Sequence, residues 1–565
     1  MRPGLSLLAV VAAALAMATA SPAGAAQVTD NARFTASDGV SLQTTLTGEA
    51  PLGPRPTIVE FSPYGRGSGT LDAGPDFNYL LVQIRGTGDS DGQFDALGPR
   101  TQADVAEILQ WACGQPWSDG NLGINGFSAS AITIYNSLHL PLPCVRAAVL
   151  KSGTFELYRD LLYPGGVSNL LPGAGVLALI GAPALAQGGD RLARNPVSSL
   201  DTIQGLTGAG LSVLEHPTLD DWWRERGFRG DVNHLPILMI DGFYDVESRG
   251  AFQAFQQLRG DGAHLTVIGA HDGAPAGTDG GAGEAAAWFD HYLRGTPNGV
   301  DTSPKVKLWM ADGDREDLLA GKFARYDGND WPIPGTRWES LSLSAERSGT
   351  ARSLNDGTLD PARPAEAVTQ SYPAIPSLPT STDPHNTAIV GGFGANALAV
   401  ALPSLTEMAL AEPLGLSYTT APFAADVLSA GPASLELRLS STAPETSIWA
   451  VLSDVAPDGT AHPLTSGRLL SSDPDVDTGK SLTDPQTGDI VQPYGVYDHK
   501  SPAAIGESRL YRVELWPLGN RFQAGHRLRL DVIGASAASL PSLPAVNTIT
   551  VGGPQGSRLL FPVLP

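Results

Sequence analysis

The sequence predicts an α/β fold: a mostly parallel sheet with helices on both faces, a helical insertion, and an all-β region at the C-terminal end. Three observations predict it. Up to residue 151, short apolar runs alternate with helical stretches, and each run closes on a Gly-rich turn, as in a parallel sheet buried on both sides. That rhythm breaks after Lys151 and resumes at Leu235. From about Lys305 helical periodicity disappears, and short alternating strands between Pro, Gly and Asp turns read as a β-sandwich. A chain of 565 residues has room for three such units at roughly 150 residues each.

In chain order, residues 1–26 read as a signal peptide. Arg2 gives a positive start, Leu5 to Ala18 is apolar but too short to span a bilayer, and Ala23-Gly24-Ala25 offers a cleavage site. Export to the periplasm or medium is expected, with no stable membrane anchor. Residues 27–50 alternate and predict a hairpin. Thr57 to Phe61 is a buried strand ended by Ser62-Pro63-Tyr64-Gly65, and Tyr79 to Ile84 is another, ended by Arg85-Gly86-Thr87-Gly88. Thr101 to Trp111 has apolar residues at helical spacing. Leu122 to Ile124 ends a further strand, Asn125-Gly126 turns the chain sharply, and Ala131 to Leu138 starts a helix. Val145 to Leu150 is the next strand.

Residues 152–235 are mostly helical with Gly and Pro interruptions, and read as a cap inserted over the catalytic edge of the sheet. Leu235 to Ile240 and His264 to Ile268 are strands, each followed by a helix, over Phe252 to Leu258 and around Trp288 to Leu293. The sheet domain is therefore expected over 27–151 and 236–304, and the β-sandwich over 305–565.

The formal net charge of −22 argues against nucleic acid, whose binding needs a basic surface, and against anionic membranes. No metal-ligand spacing or dinucleotide fingerprint is present, so no metal or redox cofactor is expected. Asp473, Asp475 and Asp477 read as a solvated turn, since the EF-hand ligand pattern is absent. Cys113 and Cys144 precede strands that should start at the same edge of a parallel sheet, which favours a disulfide in an exported chain. Such a bond stabilises by roughly 3–4 kcal/mol under the loop-entropy model. The oligomeric state is left open.

Ser128 sits at the bend between the strand ending near Ile124 and the helix starting near Ala131. A serine on such an elbow exposes its oxygen above the sheet, and the small residues Gly126, Ser130 and Ala131 let strand and helix approach. Serine is a weak nucleophile until a base takes its proton; imidazole is the usual base, and a carboxylate fixes its tautomer. α/β-hydrolases carry these groups after successive strands in the order serine, acid, histidine. Here that order is Ser128, Asp245, His271. Asp241 is the rival acid, abutting the apolar run. His264 begins a strand, His291 lies in a helix, and His216 and His234 flank the insertion.

Many stretches carry a resemblance: SPYGRG at Ser62, IRGTGDSDGQF at Ile84, WACGQPWSDGNLGINGFSAS at Trp111, HPTLDDWW at His216, DGFYD at Asp241, GAHDG at Gly269, WFDHYLRG at Trp288, LSYTTAP at Leu416 and VELWPLGNRFQAGHRLRLDV at Val513. Across nearly all of the mature chain they resemble the cocaine esterase and X-prolyl dipeptidyl aminopeptidase family of serine hydrolases. The resemblance implies an α/β-hydrolase with a helical cap and a C-terminal jelly roll. It implies Ser128, Asp245 and His271 as triad, and an oxyanion hole of the Tyr64 hydroxyl and the Ala129 N–H.

The expected activity is cleavage of a small-molecule ester, amide or peptide through an acyl-enzyme on Ser128. Release of N-terminal dipeptides by an X-Pro dipeptidyl-peptidase is the alternative. A non-catalytic glycan- or partner-binding protein is disfavoured by the complete triad. The elbow departs from the family's Ser-Tyr-x-Gly: this chain has Ser128-Ala129-Ser130-Ala131. Relatives acting on α-amino acid esters place a carboxylate cluster just after the acid. Here Glu247 is a candidate substrate contact, Ser248 replaces the second acid, and Glu247 itself reads as a solvated acid at a helix start.

Overall fold

Strand pairing in the computed structural model builds one sheet in the order β1-β2-β4-β3-β5-β6-β7-β8-β9-β10. The strands are β1 (Gln27–Thr35), β2 (Ser41–Glu49), β3 (Arg55–Ser62), β4 (Asn78–Gln83), β5 (Ser118–Phe127), β6 (Val145–Lys151), β7 (Ile237–Tyr244), β8 (His264–Ala270), β9 (Val306–Asp312) and β10 (Phe323–Gly328). Pairing is parallel from β4 through β3, β5, β6, β7 and β8 to β9. It is antiparallel where β1, β2 and β4 meet and where β10 adds to β9. The structure describes residues 27–67, 71–186, 189–194, 196–271, 273–375, 383–385, 408, 411–534 and 542–565. The expected signal peptide lies outside them.

The apolar runs are buried on both faces because helices cover both. On one side Ile58, Val149, Leu238 and Ile268 pack with Trp288 and Phe289 of a helix over Ala282–Arg294. On the other, Val59, Ile124 and Leu265 share a core with Val105 and Ile108 of α1 (Pro99–Cys113) and Ile132 of α2 (Ala129–Tyr135). Gly123 in β5 is needed for this packing: a Cβ there would lie 2.6 Å from the Phe289 ring. Cys113 and Cys144 form a disulfide joining the end of α1 to the start of β6.

The insertion holds α3 (Leu170–Ala186), a short helix over Gly189–Arg194, α4 (Pro196–Glu215) and a single turn over Asp221–Arg224. Its HPTLDDWW stretch is a packing device. Trp223 stands edge-on to Tyr158 and Tyr163 and donates its indole N–H to the His216 carbonyl at 2.7 Å. The His216 ring stacks on Trp222 and meets Asp220 at 2.5 Å.

Two features differ from the sequence expectation. The sheet does not stop near residue 304: of the two strands expected in the β region, β9 hydrogen-bonds onto β8 and β10 adds to β9. Downstream, a strand over Arg509–Phe522 pairs with β9 at Asn520 and Arg521, so the two parts share hydrogen bonds. That long strand runs antiparallel to Val427–Ser441; among the described residues the pairs of this region are antiparallel except for the parallel pair Asn355–Asp360 with Leu416–Thr419. Second, Asp473 is not part of a solvated turn. It is buried, bonded to Lys500 at 2.5 Å, and its carboxyl is pushed up to about 6, mainly by burial. Asp475 and Asp477 remain exposed.

Candidate active site

Four side chains gather at the C-terminal ends of neighbouring strands: Tyr64 after β3, Ser128 after β5, Asp245 after β7 and His271 after β8. Ser128 occupies φ 54°, ψ −126°, where a non-glycine residue pays backbone strain. Its carbonyl accepts the first helical bonds, from the N–H of Ala131 at 2.8 Å and of Ile132 at 3.0 Å, while its side chain takes no part in capping. The elbow is as tight as the small residues implied. A Cβ on Gly126 would stand 2.7 Å from the Ala131 Cα, and one on Gly153 would meet the Ala131 methyl at 2.5 Å. Ala131 therefore fits because the chain opposite it is glycine.

His271 is brought to the elbow by short links. The Ser128 N–H donates to the Lys151 carbonyl at 2.9 Å, and the Ser152 hydroxyl donates to the His271 carbonyl. The imidazole lies against Phe127, with ring centroids 4.9 Å apart. Its Nδ1 faces both oxygens of Asp245, at 3.0 and 2.9 Å.

Asp245 is fully buried. Burial alone would raise its carboxyl, but the charge and hydrogen bond of His271, a hydrogen bond from Asp241 and the Glu247 N–H hold it below the usual range. Asp241, the rival, lies inside β7 and is also fully buried. Burial, then the charge of Asp245, pushes Asp241 well above the carboxylate range. Two carboxylates in contact do not both ionise. Asp241 therefore keeps its proton and donates a hydrogen bond through it to Asp245, which stays charged opposite the imidazole.

Tyr64 is placed on the other side of the elbow. The Ala129 N–H donates to the Tyr64 oxygen at 3.2 Å, and the phenol is also hydrogen-bonded to Ser128. Burial pushes the phenol up to about 12, so it remains an O–H donor at any working pH. In the free protein the two expected oxyanion donors thus hold each other in place.

Glu247 departs from the expectation of a solvated acid. It stands at the N-cap position of the helix over Ser248–Leu258, makes no side-chain capping bond, and is 1% exposed. Among the described residues its Oε2 has no hydrogen-bond partner. Burial first, then the Asp245 charge, raises its carboxyl well above the usual range. An unfolded glutamate ionises near 4.3, so from about pH 4.3 upward the native state keeps a proton that the unfolded state has lost, and stability falls with pH across that window. Glu247→Gln removes this term. The thermal midpoint of the variant is expected to gain on wild type as pH rises from about 4 to 8; a pH-independent difference would contradict a buried neutral Glu247.

The rival histidines stand at other places in the fold. His264 is buried against Trp288 and its pKa is pushed down to about 4, chiefly by burial. His291 binds the Thr296 carbonyl at 3.0 Å. His234 takes a positive φ of 51° in the segment leading to β7. Sequence reasoning missed Ser152, which ties down the histidine loop. It also missed Arg249, buried two residues after Glu247 between Asp160 at 2.6 Å and Glu514 at 3.0 Å. Only the positive φ of Ser152, at 47°, marks it, and φ is not written in a sequence. A cleft of about 300 Å³ between insertion and β region, walled by Tyr158, Trp223 and Tyr494, is lined by none of Tyr64, Ser128, Asp245 or His271.

Comparisons with known proteins place the chain in a family. Residues 38–272 match the family model of the X-Pro dipeptidyl-peptidase (S15 family), and residues 298–555 match that of the X-Pro dipeptidyl-peptidase C-terminal non-catalytic domain. The cocaine esterase of Rhodococcus sp. (strain MB1 Bresler) is 26% identical, covering 95% of this chain and 98% of that protein. A CocE/NonD family hydrolase from Staphylococcus aureus shares the fold at TM-score 0.73 and 19% identity, over 95% of this chain and 94% of that one. An α-amino acid ester hydrolase shares it at TM-score 0.70 and 16% identity over 100% of both chains. These folds consist of an α/β-hydrolase core and a C-terminal β domain. The chain belongs to the family that holds cocaine esterase and the X-Pro dipeptidyl-peptidases, and is a serine hydrolase of that family.

Proposed function

We propose that Ser128 attacks the carbonyl of a small-molecule acyl ester. His271 takes the serine proton as the bond forms, and Asp245 holds the Nδ1–H tautomer and stabilises the imidazolium. The oxyanion is met by the Tyr64 O–H and the Ala129 N–H, which release each other to bind it; donors aimed at developing charge are the largest single term in acyl transfer. The imidazolium protonates the leaving alcohol, and water then attacks the acyl-Ser128 ester by the same route in reverse. The observation that carries this reading is the Nδ1 of His271 between both oxygens of a buried Asp245, with its ring on the residue before a serine at positive φ.

An ester is favoured over an X-Pro peptide by the electrostatics after the acid. An N-terminal ammonium needs a free carboxylate. Glu247 is buried and held neutral, and the charge of Asp160 is engaged by Arg249. We also read 152–235 as a cap over the catalytic edge and the β region as a jelly roll, and infer export, which suits the disulfide. Among the described residues no helix is long and apolar enough to cross a membrane. The deciding experiment is labelling of purified protein with a serine-reactive phosphonate, followed by a panel of acyl esters and Xaa-Pro anilides. Labelling at Ser128 with ester turnover supports the reading; preference for the anilides overturns the substrate class.

Tyr64→Phe is expected to lower kcat by roughly 10²–10³ with little change in KM, the usual loss of one oxyanion donor. Steady-state kinetics on the best ester checks this; an unchanged kcat would assign the oxyanion to other donors.

A further inference from the structure

The loop that carries the catalytic acid is gripped at both ends by the β region. Upstream of Asp245, the Phe243 ring lies on Gly519 of the long strand over Arg509–Phe522, and a Cβ on Gly519 would run into that ring. Downstream, Arg249 lies in the first turn of the helix over Ser248–Leu258. Its Nε donates to both oxygens of Glu514, on the same long strand, at 3.0 Å each. Asp245 and Glu247 lie between these two grips. There the Glu247 N–H donates to Asp245 Oδ1 at 3.1 Å, and the Gly250 N–H donates to the Glu247 carbonyl at 2.9 Å.

The same guanidinium reaches the segment that steadies the histidine. Its Nη1 donates to Asp160 Oδ1 at 2.6 Å, and Asp160 Oδ2 accepts from the Thr154 hydroxyl at 2.5 Å and the Glu156 N–H at 2.7 Å. Thr154 stands two residues after Ser152, whose hydroxyl donates to the His271 carbonyl. The two segments meet backbone to backbone: a Cβ on Gly250 would lie 2.7 Å from the Thr154 Cα and from the Phe155 nitrogen. Glu156, 3.9 Å from Nη1, completes the carboxylates around Arg249, and Gln492 of the β region donates to Glu514 at 3.0 Å.

The cluster suits positioning better than stability. The side chains of Arg249 and Asp160 are buried, and desolvation offsets most of the attraction inside a buried ion cluster, so well-packed apolar residues would serve the fold as well. What the guanidinium adds is direction, because its planar donors fix carboxylates in one geometry. Asp245 and His271 come from different loops and meet at 2.9 and 3.0 Å. A misplacement of about 1 Å in such a constellation costs about 10²-fold in rate. We propose that Glu514 and Arg249 are positioning residues for the triad. The β region, through Glu514, and the segment after β6, through Asp160, fix Arg249 and with it the acid loop, which keeps Asp245 on the Nδ1 of His271. This rests on the triad reading, since both residues act through Asp245.

The test is a double-mutant cycle on the full chain with the best ester, well below the thermal midpoint of every variant. Glu514→Gln keeps the length of the side chain and loses its charge and one acceptor. It is expected to lower kcat roughly tenfold with KM within about twofold. The acid limb of kcat/KM should move to lower pH, since a histidine less firmly faced by Asp245 gives up its proton more readily. Arg249→Lys keeps the charge and loses the fork. It is expected to give the same kcat loss and the same downward shift, which separates lost geometry from lost charge, and it is read alone if Glu514→Gln does not fold. In the Asp245→Asn background either substitution should cost less than about twofold, because the contact it acts through is already gone. Equal losses in the two backgrounds overturn the proposal. So does a lowered thermal midpoint with kcat and acid limb unchanged, since the cluster then serves the fold alone. A severe Asp245→Asn beside silent Glu514→Gln and Arg249→Lys overturns the proposal and leaves the triad standing; a silent Asp245→Asn fails the triad reading and takes the proposal with it.

Discussion

Ser128→Ala is expected to lower kcat by roughly 10⁶ and to leave the fold intact, since removing the nucleophile of a triad costs about as much as removing all of it. The structure predicts both halves. The hydroxyl takes no part in capping α2, and the positive φ is carried equally by serine and alanine. The bonds that shape the elbow come from the Ser128 carbonyl and N–H, which alanine keeps. Single-turnover kinetics should show no acyl-enzyme burst, and circular dichroism should be unchanged. Residual hydrolysis within tenfold of wild type would remove Ser128 from its role.

The second large effect separates two aspartates four residues apart. Asp245→Asn is expected to cut kcat by roughly 10⁴, because the amide no longer enforces the Nδ1–H tautomer. Asp241→Asn is expected to stay within about threefold, because an amide N–H donates to Asp245 as the protonated carboxyl does, with no change of charge. Asp241→Ala takes that donor away and should fall between the two. The readout is kcat at fixed saturation, with thermal midpoints to exclude unfolding. A severe Asp241→Asn beside a silent Asp245→Asn would give Asp241 the acid role. If both are silent, the triad reading fails at its second member.

These contrasts follow the line between what a sequence carries and what it does not. The elbow was legible because it is local: a small-residue turn between an apolar run and a helical period leaves Ser128 little freedom. The strands were legible because burial on both faces demands continuous apolar runs, as β7 shows, where every position is buried. The continuation of the sheet past residue 304 was not legible, because β9 and β10 alternate like sandwich strands. What joins them to the sheet is the partner each hydrogen-bonds: β8 for β9, and β9 for β10.

The sequence alone determined which residue types stand at the ends of β3, β5, β7 and β8, and the two cysteines available to bond. Both are matters of order along the chain. Protonation and burial were decided by the tertiary structure. Asp241 and Glu247 look as soluble as any acid in the sequence. Both are pushed toward the neutral form because burial excludes water around them and because Asp245 holds the charge they would otherwise share. A pKa depends on which groups are brought within a few ångströms and on how much water is left between them, and neither is a property of any single stretch of chain.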